Sequence, residues 1–264
     1  LNNKDNKLTF AINGINPVMA NTLRRLIMTE VPVLAIDEVE FQKNTSALYD
    51  EILAHRLGLI PLKTDLKSYN LKEECKCKGK GCALCELKLM LKANEDGIVY
   101  SSELKSTDPE AIPVYPDMPI VELIKKQKLE LEATAILGKG KTHMKFSPAL
   151  AYYRGYPEFI VKDNANLKRI QEELNNIIIV KGNKIEIKDL NEWNDRHEEI
   201  LEINNVQVKN SEEKFIFNIE PWGQLTCKEI LLKALEIFND KLDDFESKLK
   251  KAKYKLLKDG SFFG

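Results

Sequence analysis

Four cysteines stand within eleven residues, Cys75, Cys77, Cys82 and Cys85, in the order C-x-C-x4-C-x2-C. Thiolates this close can close a tetrahedral site around one Zn2+ ion without a ligand from elsewhere in the chain. Gly79 and Gly81 supply turns between them, and Lys76, Lys78 and Lys80 offset the net negative charge of a Zn(Cys)4 centre. Four protein ligands leave no open position for a reactive water, so the chemistry is structural. Two other readings stay open: a reduced loop without metal, and an iron–sulfur cluster, for which neither common ferredoxin spacing is present. Cys227 stands alone beside a long helical pattern and reads as a buried apolar residue.

Other chemistry is thin. Gly138-Lys-Gly-Lys-Thr142 resembles the tail of a phosphate-binding loop, but the first glycine of that motif is replaced by Ala135, and a turn between two strands accounts for it. His55, His143 and His197 are scattered, with no matching nucleophile or metal spacing, and read as structural. No Ser/His/Asp or paired-carboxylate arrangement follows from spacing, so no catalytic residue is assigned. Arg24 and Arg25, with Asp50, Glu51, His55 and Arg56, border apolar surface. They are either solvated helix faces with surface ion pairs or a patch that recognises a large protein.

The elements that must position these groups follow from pattern. A strand is expected over 8–12, then a helix started by Asn16 and Pro17 and running to about residue 30, with Val18, Met19, Leu23, Leu26 and Ile27 on a broad apolar face. Further strands are expected at 33–41, at 87–93 with Leu87, Leu89 and Leu91 buried, and at 129–135. A short helix over 48–57 ends at Gly58. Residues 166–176 read as a helix, 177–180 and 185–187 as a hairpin, 193–201 as a helix, and 205–208 and 215–219 as two strands.

The strongest periodicity is Leu231, Leu235, Phe238, Leu242, Phe245, Leu249, Ala252 and Leu256, spaced 4-3-4-3-4-3-4. Such a seam, about 39 Å long at the usual rise, packs lengthwise on another helix. The seam serves either an internal core or a second subunit.

The whole chain has 264 residues, 43% hydrophobic and 31% charged, with 40 Lys plus Arg against 41 Asp plus Glu and a net charge of −1. That is a globular composition, and the overall field gives no reason to expect nucleic acid or an acidic membrane as the main partner. No apolar run approaches the length of a membrane helix, the start has no apolar signal core, and clustered cysteines are the opposite of a disulfide framework. A reducing, cytoplasmic setting is expected.

Three stretches resemble a known family in that family's order. They are residues 16–25 (NPVMANTLRR), 31–39 (VPVLAIDEV) and 49–62 (YDEILAHRLGLIPL). They are similar to the α-like subunits of DNA-directed RNA polymerase: the larger α-like subunit of archaea, the third-largest subunit of eukaryotic polymerase II and the N-terminal domain of the bacterial α subunit. The likeness continues through the cysteine loop, residues 137–146 (LGKGKTHMKF) and the final helix.

The resemblance implies an α+β fold: a discontinuous α-like dimerisation domain (1–42 and 213–258), an inserted β-rich domain (43–160) with a zinc loop at 75–85, a degenerate ferredoxin-like minidomain (161–212) and a tail (259–264). It implies a non-catalytic assembly subunit that pairs with the small subunit L, then gathers subunits N and P and the two large catalytic subunits, meeting DNA only through the complex. By position, Cys75, Cys77, Cys82 and Cys85 carry over as ligands of a structural Zn2+. Val18, Met19, Leu23, Leu26, Ile27, Leu231, Leu235, Phe238, Leu242, Phe245 and Leu249 fall on the dimer interface. The large-subunit contacts fall on Arg24, Arg25, Asp50, Glu51, His55 and Arg56. One departure stands out: many archaeal relatives hold iron–sulfur clusters in the third region, but 161–212 has no cysteine, so no cluster is expected. A reading from another class is a freestanding zinc-containing nucleic-acid-binding module, against which the near-zero net charge weighs.

Overall fold

The computed structural model describes residues 2–4, 6–188, 190 and 192–258, with side chains from 6–188, 190 and 192–252. The expected tail at 259–264 and the side chain of Leu256 lie outside the described residues. In chain order the elements are β1 (Asn2–Lys4), β2 (Lys7–Asn13), α1 (Pro17–Thr29), β3 (Pro32–Asn44), α2 (Asp50–Gly58), β4 (Glu86–Ala93), β5 (Gly97–Tyr100), β6 (Lys105–Ser106), β7 (Pro119–Leu123) and β8 (Leu129–Lys139). There follow β9 (Ala149–Val161), α3 (Leu167–Glu173), β10 (Ile178–Lys181), β11 (Lys184–Ile187), α4 (Asp195–Ile203), β12 (Val206–Pro221) and α5 (Cys227–Lys258). The content is mixed α and β, as expected of an α+β chain. It gathers into two compact units, Leu1–Arg24 with Leu150–Glu220 and Arg25–Ala149 with Pro221–Gly264, the boundary passing through α1.

The first unit is built on a sheet ordered β1-β2-β12-β9. Antiparallel pairing sets Phe10 opposite Phe217 and Leu8 opposite Ile219, so the start of the chain meets a strand some two hundred residues later. The Phe10 and Phe217 rings stack at 5.4 Å and Tyr153 stacks on Phe217 at 5.3 Å, an offset aromatic column worth more than its area alone. A second core is formed by α3, the β10/β11 hairpin and α4. Ile170, Ile178, Trp193, Leu201 and Val206 fill it. Asn194 caps α4 by accepting from Arg196 N–H at 3.1 Å.

In the second unit an antiparallel sheet runs β3-β8-β4-β6. The alternation read from β4 is realised: Leu87, Leu89, Leu91 and Ala93 are buried, facing Leu129, Leu131, Ala133 and Ala135 of the buried face of β8. Leu53 and Leu57 of α2, both fully buried, cover this face with Leu34 and Ile36 of β3. Each such side chain contributes about 1.5–3 kcal/mol of burial. The start of α5 is fixed by Thr226 and Glu229: the Glu229 carboxylate accepts from Thr226 N–H at 2.9 Å and from its hydroxyl at 2.6 Å.

The strand expected at 33–41 is β3, which pairs along its length with β8, Leu34 and Ile36 lying fully buried in the core of that sheet. Two elements differ from the sequence reading. β9 is a thirteen-residue strand, with Gly155 and Pro157 inside it, where no strand was expected. The two strands expected at 205–208 and 215–219 are one strand, β12, continuous through its polar middle, 209–214.

Candidate metal centre and contact surfaces

The four clustered cysteines converge. Their sulfurs all lie within 4.8 Å of one another, with Cys75 to Cys82 at 3.5 Å, Cys77 to Cys85 at 3.5 Å and Cys82 to Cys85 at 3.7 Å. A disulfide needs about 2.05 Å, so these are free thiols. Four sulfurs each about 2.3 Å from one ion stand about 3.8 Å apart, which fits the observed edges. The residues present can therefore hold a metal ion, and a four-sulfur tetrahedron suits zinc or iron.

The local chain explains how. Two tight turns carry the ligands, with Lys78 N–H donating to Cys75 O at 2.9 Å and Cys85 N–H to Cys82 O at 2.9 Å. Gly81 has φ +87°, in the left-handed region that favours glycine, on the stretch between the second and third ligands. Cys85 immediately precedes β4, which ties one ligand to the sheet. Asn70 N–H donates to Leu84 O at 2.8 Å and Lys72 pairs with Glu86 at 2.8 Å, closing the loop at its base. Upstream, buried Tyr69 donates its hydroxyl to Asp108 at 2.6 Å.

Electrostatics divide the thiols. Burial pushes the Cys85 thiol up to about 12. At Cys77 burial acts in the same sense but is outweighed by hydrogen bonds from the Cys75 and Cys85 thiols and from Gly81 N–H, which bring it down to about 6. An incoming cation displaces the thiol protons.

α5 has two apolar stripes, not one. Cys227, Ile230 and Ala234 are buried, while Leu231, Ile237 and Phe238 are half-buried. The rest of the expected seam is open: Leu235 is 41% exposed, Leu242 49%, Phe245 60% and Leu249 52%. Every residue from Asn239 to Ala252 is exposed. On α1, Val18 and Met19 are exposed and Leu23 half-buried, while Leu26 and Ile27 are buried.

The expected charged patch is also on the surface. Arg25, Asp50, Glu51, His55 and Arg56 are exposed. Arg24 is turned to Asn21 Oδ1 at 3.0 Å, and Arg56 donates to Pro119 O at 2.7 Å. Beside them stand three exposed apolar residues the sequence reading passed over, Tyr49, Ile52 and Leu59. A nine-residue helix is too short for periodicity to separate Ile52 from its buried neighbour Leu53. His143 accepts from Lys145 N–H and His197 from Asn194 N–H, so both serve local turns, as expected.

Residues 36–150 match the family model described as the RNA polymerase Rpb3/RpoA insert domain. DNA-directed RNA polymerase subunit Rpo3 of Archaeoglobus fulgidus is 35% identical over 249 residues, covering 92% of this chain and 94% of that one. The Pyrococcus furiosus subunit Rpo3 is 37% identical over 268 residues, covering 95% and 96%. That of Pyrobaculum islandicum is 38% identical over 240 residues, covering 90% and 89%.

Proposed function

The chain belongs to the family of DNA-directed RNA polymerase subunit Rpo3, and from that premise we propose that it is a non-catalytic assembly subunit. It pairs with the small α-like subunit L, and the heterodimer gathers subunits N and P and the two large catalytic subunits. The observation that carries this reading is the uncovered stripe Leu235, Leu242, Phe245 and Leu249, four large apolar side chains on one seam of a helix whose other stripe is already used. A chain that leaves such a row open keeps it for a partner helix.

The pairing surfaces come from the two chain ends, 1–42 and 213–258. α5 contributes its open stripe, and α1 contributes Val18, Met19 and Leu23. The large chains meet Arg25, Asp50, Glu51, His55 and Arg56, with Tyr49, Ile52 and Leu59 as apolar anchors among them. The four thiolates hold a structural Zn2+, which supplies cross-linking of the loop and no reaction step. DNA is reached only through the complex, in the cytoplasm.

Affinity purification of the tagged chain from its own cells, with mass spectrometry and metal analysis of the same sample, tests all of this. The expected recovery is one small α-like chain, two very large chains and about one zinc per copy. Recovery of the chain alone, or with unrelated proteins, would overturn the reading.

A further inference from the structure

The segment 138–146, which as a sequence resembles a phosphate loop, does something else in the fold. Its two ends are pinned to two different elements of the same unit. At one end Gly140 is pressed on the last turn of α1: a β-carbon there would stand 2.1 Å from Met28 O, and Lys141 N–H donates to Thr29 O at 3.0 Å. At the other end Lys145 turns inward. Its side chain is 14% exposed, and its ammonium donates to Ile36 O at 3.0 Å and to Asp37 Oδ1 at 2.7 Å. It also lies 5.0 Å from the Phe146 ring centroid.

The place Lys145 reaches is an irregularity in β3. Ile36 pairs with Ala135 and Glu38 with Thr134, so Asp37 is an extra residue in the strand. A bulge re-aims the chain and leaves ladder groups to be satisfied by other means. Lys145 supplies a charge-assisted donor to the carbonyl and the carboxylate together. The end of α2 rests on the same spot: a β-carbon at Gly58 would be 3.4 Å from Ile36 O and 3.9 Å from the Lys145 stem. The helix that carries Ile52, His55, Arg56 and Leu59 is therefore seated on a carbonyl that Lys145 holds.

We infer that Lys145 is a positioning residue for the α2 contact face, fixing the bulge at Asp37 on which the end of α2 is seated. The inference rests on the proposed large-subunit contact at α2, to which it adds the group that sets the orientation of the face.

The test uses the full chain paired with its small partner, titrated with each of the two large catalytic chains purified separately. Three variants are compared: Lys145→Met, Ile52→Asp on the exposed face, and the double variant. Lys145→Met is expected to weaken binding to one large chain about tenfold, the scale of a lost charge-assisted hydrogen bond. It is also expected to raise amide hydrogen exchange over residues 52–60. The double variant should bind no more weakly than the weaker single variant, because both act through one face. If Ile52→Asp leaves binding to both large chains unchanged, the contact reading fails and the inference with it. If Ile52→Asp weakens binding and Lys145→Met does not, or if the two losses add in full, the inference alone is overturned. Should Lys145→Met not accumulate as folded protein, Asp37→Asn at the more exposed end of the pair gives the same comparison with the same deciding outcomes.

Discussion

At the scale of single residues the fold depends on a few groups that hold the cysteine loop. The ligand set was legible because four thiols in eleven residues need no distant partner. The tie that holds the loop's approach was not, since Tyr69 and Asp108 are 39 residues apart. Replacing Cys82 by Ser is expected to drop the metal from about one per chain toward none, and to abolish the thiolate charge-transfer absorption of the cobalt-substituted protein. The loss of stability should be about 3 kcal/mol, roughly 10 °C in the melting of that unit. Unchanged metal stoichiometry would rule out a four-thiolate site. The Tyr69–Asp108 pair makes a second prediction, in pH. The Tyr69 hydrogen bond holds the Asp108 carboxyl below its ordinary 3.8, and burial, with that same bond, raises Tyr69 above its ordinary 10.0. A lowered carboxyl stabilises above its unfolded value and loses that contribution as pH falls; a raised phenol stabilises below its unfolded value and loses it as pH rises. Tyr69→Phe should therefore cost roughly 1 kcal/mol between about pH 4 and 10, with the gap to the parent chain narrowing on both sides. Stability curves that stay parallel through pH 3 would refute the tie.

At the scale of elements, α5 shows what periodicity can and cannot report. Its 4-3 spacing marked a helix with an apolar seam, but the buried face, Ile230 and Ala234, lies beside that seam and was hidden by it, because neighbouring stripes on one helix share a period. Only the structure shows Leu231 and Phe238 half-buried by the chain itself. The two stripes predict opposite phenotypes. Leu242→Asp or Phe245→Asp changes an exposed residue, so the isolated chain should keep its stability to within about 0.5 kcal/mol and still lose its small partner. Ala234→Asp buries an unpaired charge in the chain's own packing and should cost about 3 kcal/mol or more before any partner is added. Circular dichroism melts and co-purification of the three variants separate the effects. Normal pairing of Leu242→Asp would remove the stripe from the interface. The strands missed by reading, β9 and the middle of β12, were hidden for another reason. β9 contains Gly155 and Pro157 and β12 the polar run 209–214, residues of low strand preference that pairing with neighbouring strands overrides.

At the scale of the whole chain, the sequence announced both ends of the first sheet but not which unit each element joins, because β2 and β12 are brought together by pairing rather than by proximity. The second core of the first unit is filled around one aromatic side chain. Trp193 is 3% exposed, with Phe159 at 5.5 Å and His197 at 5.7 Å from its ring. Arg154 donates to its carbonyl. The four clustered cysteines belong to the other unit. Chelation should accordingly act on one unit only, and the chain offers a way to see it. Its two tryptophans fall one in each unit, buried Trp193 in the first and half-exposed Trp222 in the second. In chains carrying Trp222→Phe, the fluorescence melt of Trp193 should be unmoved by a zinc chelator. In chains carrying Trp193→Phe, the Trp222 signal should report a transition lowered by roughly 10 °C. A common shift of both signals would mean that the units unfold as one cooperative body. The open stripe of α5 depends on helix formation rather than on the ion, so pairing with the small partner should survive chelation at temperatures below the lowered transition.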